Sequence, residues 1–295
     1  MKSIKPLPPY WWKYSSSAWN DINNFFSDYK YSGNTKKNKS DEHFNEEHWC
    51  SISTGRSNAS YCFTGIRCKF FIQITNRSNT LFLPYEGVIK LEKIMNVDEY
   101  KGLSPWLVDT YFQSKEVRIQ EWFESDSLDL SLNKNKNVID TLAKSLAKLH
   151  QIKSTKLLSF DIEKHLLKYQ RIALNKNKNR GLKSEINSCL NNAIFKLKAY
   201  QQSSLCHYDL NLHNILFNRN KLKIIDWEYV CMGDPALDVA AIVNNFELEK
   251  ESQEYFISSY RRYINKPTKI DFSDEKLSDM KLLNQYISQL WEYAQ

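Results

Sequence analysis

The spacing of hydrophobic and polar positions changes along the chain near residue 130. Before that point, "CSISTGRSNASYCFTGIRCKFFIQI" (50–74) carries short apolar and β-branched runs broken by Gly55 and Gly65, which predicts strands joined by tight turns. Ile66, Cys68, Phe70, Ile72 and Ile74 alternate with Arg67, Lys69, Phe71 and Gln73. That alternation predicts a strand with one apolar face and one mixed face. "LPYEGVIKLEKIM" reads as a helix, with Pro84 at its first position, Glu86 in its first turn and an apolar stripe of Val88, Leu91 and Met95. "KEVRIQEWF" is a further strand. Beyond Asp129 the helical period takes over: Val138, Leu142, Leu146 and Leu149 recur at spacings of four, four and three. Further helices are expected at 161–174, through Ile162, Leu166, Tyr169 and Ala173, and at 184–202, through Ile186, Leu190, Ala193, Leu197 and Tyr200. A strand-rich part followed by a helix-rich part predicts an α+β fold in two segregated lobes. No internal repeat is present.

With 295 residues, the chain can bury roughly three quarters of its unfolded surface, so its core needs no metal or disulfide staple. The six cysteines, 50, 62, 68, 189, 206 and 231, are scattered singly without a C-x-x-C pair, a pattern that fits thiols in a reducing cytoplasm. The first 17 residues lack the apolar core of a signal peptide, and no run approaches the ~18 apolar residues of a membrane span. Residues 1–45 begin with Tyr10, Trp11, Trp12 and Trp19 and then turn polar. They predict a docked aromatic segment and a link, with the tryptophans packing rather than binding. The surplus of 41 basic over 34 acidic residues, +7, sits largely in Asn/Lys-rich stretches such as "LNKNKNRGLK". We read it as solvated surface, with no nucleic-acid partner, in preference to a nucleic-acid patch, which rests on net charge alone; a basic surface equally suits an anionic substrate such as a nucleotide.

The richest chemistry lies in "CHYDLNLHN" (206–214), followed by "ILFNRNKLKIIDWEY". Ile215–Phe217 and Leu222–Ile225 predict two short strands joined by the turn "NRN". Asn214 precedes the first strand and Asp226 follows the second, so the hairpin brings both to its open end, where Asp209 can loop back. Two carboxylates and a carboxamide form an oxygen-only set suited to Mg²⁺ and unsuited to zinc. Asp209 could then accept a hydroxyl proton while Asn214 and Asp226 hold the metal. The alternative at this point is that His207 and Asp209 only bond neighbouring backbone groups in a turn.

These residues resemble the aminoglycoside phosphotransferase and choline kinase-like family of the protein-kinase-like fold. Its motif H-x-D-x-x-x-x-N stands here as His207, Asp209 and Asn214, and its I-D-[FW]-E-Y motif as Ile225 to Tyr229. Eleven residues separate Asn214 from Asp226, the hairpin length of that family. "GDPALDVA" (233–240) resembles the segment following the metal motif, and "LAKSLAKLH" the helix ending in Leu-His. The resemblance covers about residues 48–293. It implies a small antiparallel-sheet N-lobe and a larger helical C-lobe, divided here as 46–124 and 125–295 after an extension over 1–45.

It further implies Asp209 as catalytic base, His207 as the organiser of the catalytic loop, Asn214 and Asp226 as Mg²⁺ ligands, and Asp238 as a residue orienting the loop. ATP is the implied co-substrate. Gly55, Ser57 and Asn58 fall in the phosphate-covering turn, Glu121 and Phe123 in the hinge, and Gln73 and Glu86 at the position of a basic residue and its glutamate partner. Gln73 departs from the family, since a carboxamide donates a hydrogen bond but carries no charge. Lys69 shares its face but lies roughly 13 Å away along the strand; Arg67 and Arg77 are other candidates for compensation. The tryptophan, glutamate and tyrosine of "IDWEY" pull the resemblance toward choline and thiamine kinases. Asn211, Glu228, Tyr229 and Trp291 are therefore acceptor-site candidates, with Tyr286 and Glu292 as further walls. Against this stands helix packing, because Tyr286, Leu290 and Tyr293 form a helical stripe. The function expected is a cytoplasmic kinase phosphorylating a small cationic alcohol such as thiamine or choline. The alternatives are an aminoglycoside or sugar-like acceptor, or a non-catalytic nucleotide-binding relative. The sequence leaves the oligomeric state open.

Overall fold

A computed structural model describes residues 20–22, 24–25, 49–52, 58–64, 69–75, 102–104, 117–125, 135–152, 162–176, 180–199, 204–219, 221–227, 229–264 and 272–294. The chain divides into two compact units, residues 1–85 with 105–124, and residues 86–104 with 125–295. The first holds a four-stranded antiparallel meander of β1 (Trp49–Ile52), β2 (Asn58–Thr64), β3 (Lys69–Thr75) and β4 (Val117–Glu121), in that spatial order. The alternation read from the sequence appears directly in β3: Phe70, Ile72 and Ile74 are buried while Phe71 and Gln73 on the other face are half-buried. Ile72 stands opposite Tyr61 on β2 and Ile119 on β4, so one face of the sheet is a continuous apolar layer. Ile22 and Phe25, both in helical conformation, belong to that core, and the Phe25 ring meets Phe70 edge-on at 5.5 Å. The expected helix behind Pro84 lies outside the described residues.

Among the described residues, the helices of the second unit start with α1 (Lys136–His150), α2 (Ile162–Lys176) and α3 (Arg180–Ala199), close to the three spans that the apolar period predicts. Asn135 caps α1 by accepting hydrogen bonds from the N–H groups of Asn137 and Val138, a device worth about 1 kcal/mol. Two small antiparallel ribbons follow. β5 (Ser204–Cys206) pairs with β8 (Cys231–Gly233), and β6 (Ile215–Asn218) with β7 (Lys221–Ile224), confirming the hairpin. Then come α4 (Pro235–Asn245), α5 (Lys250–Ile264) and α6 (Asp274–Ala294). α4 is buried from Pro235 through Val243, which is why it shows no amphipathic stripe. The five described cysteines are all thiols. No described helix is long and apolar enough to cross a membrane.

Candidate active site

The segment 207–211 leaves β5, crosses the end of the β6–β7 hairpin and enters a single 3-10 turn, Leu212–Asn214. Its backbone is held from below by one carboxylate. Asp238, in the first turn of α4 and fully buried, accepts the N–H of His207 through Oδ2 and that of Tyr208 through Oδ1, both at 2.7 Å. His150, the last residue of α1, meets the same Oδ2 at 3.1 Å and bonds the Tyr260 hydroxyl at 2.7 Å through its other ring nitrogen. Three helices thus converge on the loop. The buried His150, Cys206 and Asp238 lie close enough to suggest a metal cluster, but the hydrogen bonds already account for the histidine and the carboxylate.

Tyr208 adopts a positive φ of 62°, unusual for a side chain of its size. Its hydroxyl accepts the N–H of Asp234 at 2.7 Å, in a space that only a glycine leaves open: a Cβ on Gly233 would lie 2.1 Å from that oxygen. Asp234 caps α4 through the Ala236 N–H and pairs with the fully buried Lys276 of α6 at 2.7 Å. His207, also buried, uses Nδ1 to accept the N–H of Asp209 at 3.2 Å and Nε2 to donate to the Ile225 carbonyl at 2.8 Å. Its ring lies 4.7 Å from that of Trp227. His207 therefore links the loop to the residue preceding Asp226.

Asn214 donates from Nδ2 to both the backbone oxygen of Asp209 (2.8 Å) and its Oδ2 (3.0 Å). This commits the amide nitrogen and leaves the carbonyl oxygen as the atom that can face a cation. The Ile225 N–H bonds the Asn214 carbonyl at 3.0 Å, so the hairpin ladder extends to the open end, where Asp226 turns out of the strand at φ 63°. Burial pushes the Asp209 carboxyl up to about 6; His207 opposes the rise and the nearby Asp226 carboxylate adds to it. Two carboxylates and an amide oxygen make a hard donor set that fits Mg²⁺. A carboxyl with its pKa near neutrality is also suited to receiving a hydroxyl proton.

Asp209 and Asn211 open onto a cavity of about 430 Å³, within the usual size of small-molecule sites. Tyr229 lines it, as do Trp291 and Glu292 of α6. Of the sequence candidates for the acceptor, Asn211, Tyr229 and Trp291 are therefore brought together. Glu228 lies outside the described residues, and Tyr286 is not among the lining residues. Sequence reasoning missed His165 and Tyr169 on α2, which also line the cavity; in the sequence Tyr169 falls in an ordinary packing stripe. The Tyr169 and Tyr229 hydroxyls meet at 3.1 Å, and both rings meet His165 edge-on. Burial, aided by Lys168, pushes the His165 ring down to about 4, so it is neutral at pH 7.

Among the nucleotide candidates, Gly55, Ser57 and Glu86 lie outside the described residues. Asn58 opens β2, Glu121 closes β4, and Phe123 follows it. Gln73 faces Arg118 across the β3–β4 ladder, and its Oε1 accepts from Nη1 at 3.2 Å. The sequence did not single out Arg118, because strand register is needed to place it beside position 73. Lys69 pairs with Glu124 at 2.6 Å and lies 4.5 Å from the centre of the Trp122 ring.

The model of the phosphotransferase enzyme family matches residues 100–268. LicA of Haemophilus influenzae is 37% identical over 67 residues, 23% of this chain and 25% of that relative, so the match spans a quarter of the relative's length. The crystal structure of choline kinase LicA from Streptococcus pneumoniae superposes with a TM-score of 0.66 at 20% identity, covering 80% of each chain. The streptomycin–ATP complex of the aminoglycoside phosphotransferase APH(2″)-IIa gives 0.60 at 15% identity, over 82% of this chain and 87% of the other. The expected protein-kinase-like α+β fold is the observed one.

Proposed function

We propose that this chain, which belongs to the phosphotransferase enzyme family, transfers the γ-phosphoryl group of ATP to the hydroxyl of a small cationic alcohol. The observation that carries the reading is the meeting of Asp209 with an aromatic cavity: a carboxyl with its pKa near 6 stands at a wall shared with Tyr169, Tyr229, Trp291 and Glu292. Ring faces attract a cation by ~0.5–2 kcal/mol each, Glu292 adds a negative charge, and neutral His165 adds no repulsion. Choline and thiamine are the leading acceptors in this reading; the similarity to the structure of choline kinase LicA favours choline.

Asp209 takes the hydroxyl proton, Asn214 orients its carboxylate through the Oδ2 bond, and His207 fixes its backbone. Asn214 and Asp226 would hold Mg²⁺, which when bound offsets the negative charge of the phosphates. Gln73, Asn58, Glu121 and Phe123, with Gly55, Ser57 and Glu86, are assigned to ATP. Arg118 beside Gln73 supplies the positive charge that the glutamine lacks. A cytoplasmic setting is part of this reading, supported by the five thiols.

The test is ADP release from MgATP offered choline, thiamine, ethanolamine and kanamycin in parallel. Turnover with a cationic alcohol, lost in Asp209→Asn, is expected. Turnover with kanamycin alone would replace the acceptor class, and nucleotide binding without turnover on any acceptor would favour a non-catalytic relative.

A further inference from the structure

Two adjacent asparagines end α4, and each ties a different part of the cavity. Asn244 donates from Nδ2 to the backbone carbonyl of Lys281 and to Oδ1 of Asn284, both at 2.9 Å, and so holds α6. Asn245 donates from Nδ2 to the carbonyl of Leu210 at 3.0 Å, and so holds the residue that follows Asp209. Neighbouring residues on a helix project about 100° apart, which lets one pair of side chains reach two separate elements. In both cases the orientation of the amide is fixed, because a backbone carbonyl only accepts and the contacting atom must therefore be nitrogen. Asn245 and Asn284 also line the cavity itself.

The first half of the catalytic loop is held by Asp238 through the His207 and Tyr208 N–H groups. Asp209 is tied through its own N–H to His207 and through its carbonyl to Asn214. Leu210 buries its side chain, and its carbonyl is reached from outside the loop by Asn245. Asn214 already holds the peptide following Asp209, and the Asn245 bond opposes rotation of the next one, between Leu210 and Asn211, which would pull on the Asp209 main chain. The Asn244 bonds, by contrast, act on α6, which carries Trp291 and Glu292.

We infer that Asn245 is a positioning residue that sets the Asp209 carboxylate for reaction, while Asn244 sets the acceptor wall. This inference rests on the kinase reading above, and its test separates the two. Asn245→Asp is nearly isosteric, loses the donor and adds a negative charge; Asn245→Ala loses the donor without adding charge. Asn245 is exposed, so both variants should fold, which a thermal melt checks. Both should lower kcat about tenfold, the size of one lost hydrogen bond expressed at the barrier, and the neutral Asn245→Ala should change acceptor KM less than kcat. Both should also speed amide exchange over residues 209–212. Asn244→Ala should instead raise acceptor KM and leave kcat near wild type. An Asn245→Asp protein with wild-type kcat and wild-type exchange overturns the inference. Should the wild-type protein turn over none of the acceptors, the kinase reading fails, and the exchange measurement alone decides whether Asn245 holds the loop.

Discussion

At the catalytic loop, main-chain groups of His207, Tyr208, Asp209 and Leu210 are each held by a named partner, and most of those partners are buried. Across the same cavity, the acceptor wall is made of side-chain surfaces on α2 and α6, with Trp291 37% exposed and Glu292 open to solvent. In the kinase reading the loop sets where a proton goes, through main-chain groups bonded to buried side chains. In the kinase reading the wall selects which molecule is received, and its α6 residues Trp291 and Glu292 are exposed. Chemistry and selectivity are thus assigned to parts of different exposure within one cavity.

Substitutions on either side can break that contrast. The largest effect is expected at Asp209. Asp209→Asn should lower kcat by about 10² to 10⁴, as for other positioned bases. It should also stabilise the protein at pH 7. The folded carboxyl titrates at about 6 against an ordinary 3.8, so stability from this group is present below pH 4, falls as pH rises from about 4 to 6, and stands up to about 3 kcal/mol lower above that. Urea unfolding of both proteins at pH 7 reads the difference, and a less stable Asn variant would refute it. In the wild type, kcat/KM should fall about tenfold per pH unit below roughly 6.

A smaller effect is expected at Asp238. Asp238→Asn puts an amide nitrogen against a buried N–H, which should cost roughly 1–3 kcal/mol in urea unfolding. It should lower kcat with little change in acceptor KM. The smallest effect belongs to the wall: Trp291→Ala should raise acceptor KM by about 2- to 30-fold, the equivalent of one cation–π contact, at nearly constant kcat. If Trp291→Ala lowered kcat as far as Asp238→Asn does, the division between loop and wall would be lost.

The loop side was legible in the sequence because its logic is local. Asn214 and Asp226 flank two short apolar strands, and a hairpin leaves them no other relation than proximity. The alternation around Ile72 likewise announced β3. What stayed hidden depends on partners far apart in the chain. The bond from His150 to Asp238 spans 88 residues, that from Arg118 to Gln73 spans 45, and Lys276 finds Asp234 across 42. No period reports such pairs; only the resemblance pointed to Asp238. Helix α4 escaped because burial on all sides erases the polar stripe. Tyr169 and His165 were hidden for the opposite reason, since a helix stripe facing a cavity has the same spacing as one facing a core.

The ion pair between Lys276 and Asp234 bears on the order in which the site is completed. The ribosome makes residues 207–211 some 65 positions before Lys276, a lag of roughly 3 to 13 s at ordinary translation rates. During that interval the nascent chain already holds Asp209, Asn214 and Asp226 but lacks the helix that completes the support of Asp234 and, through it, of Tyr208. The support of the loop should therefore be complete only when α6 docks, later than closure of the hairpin.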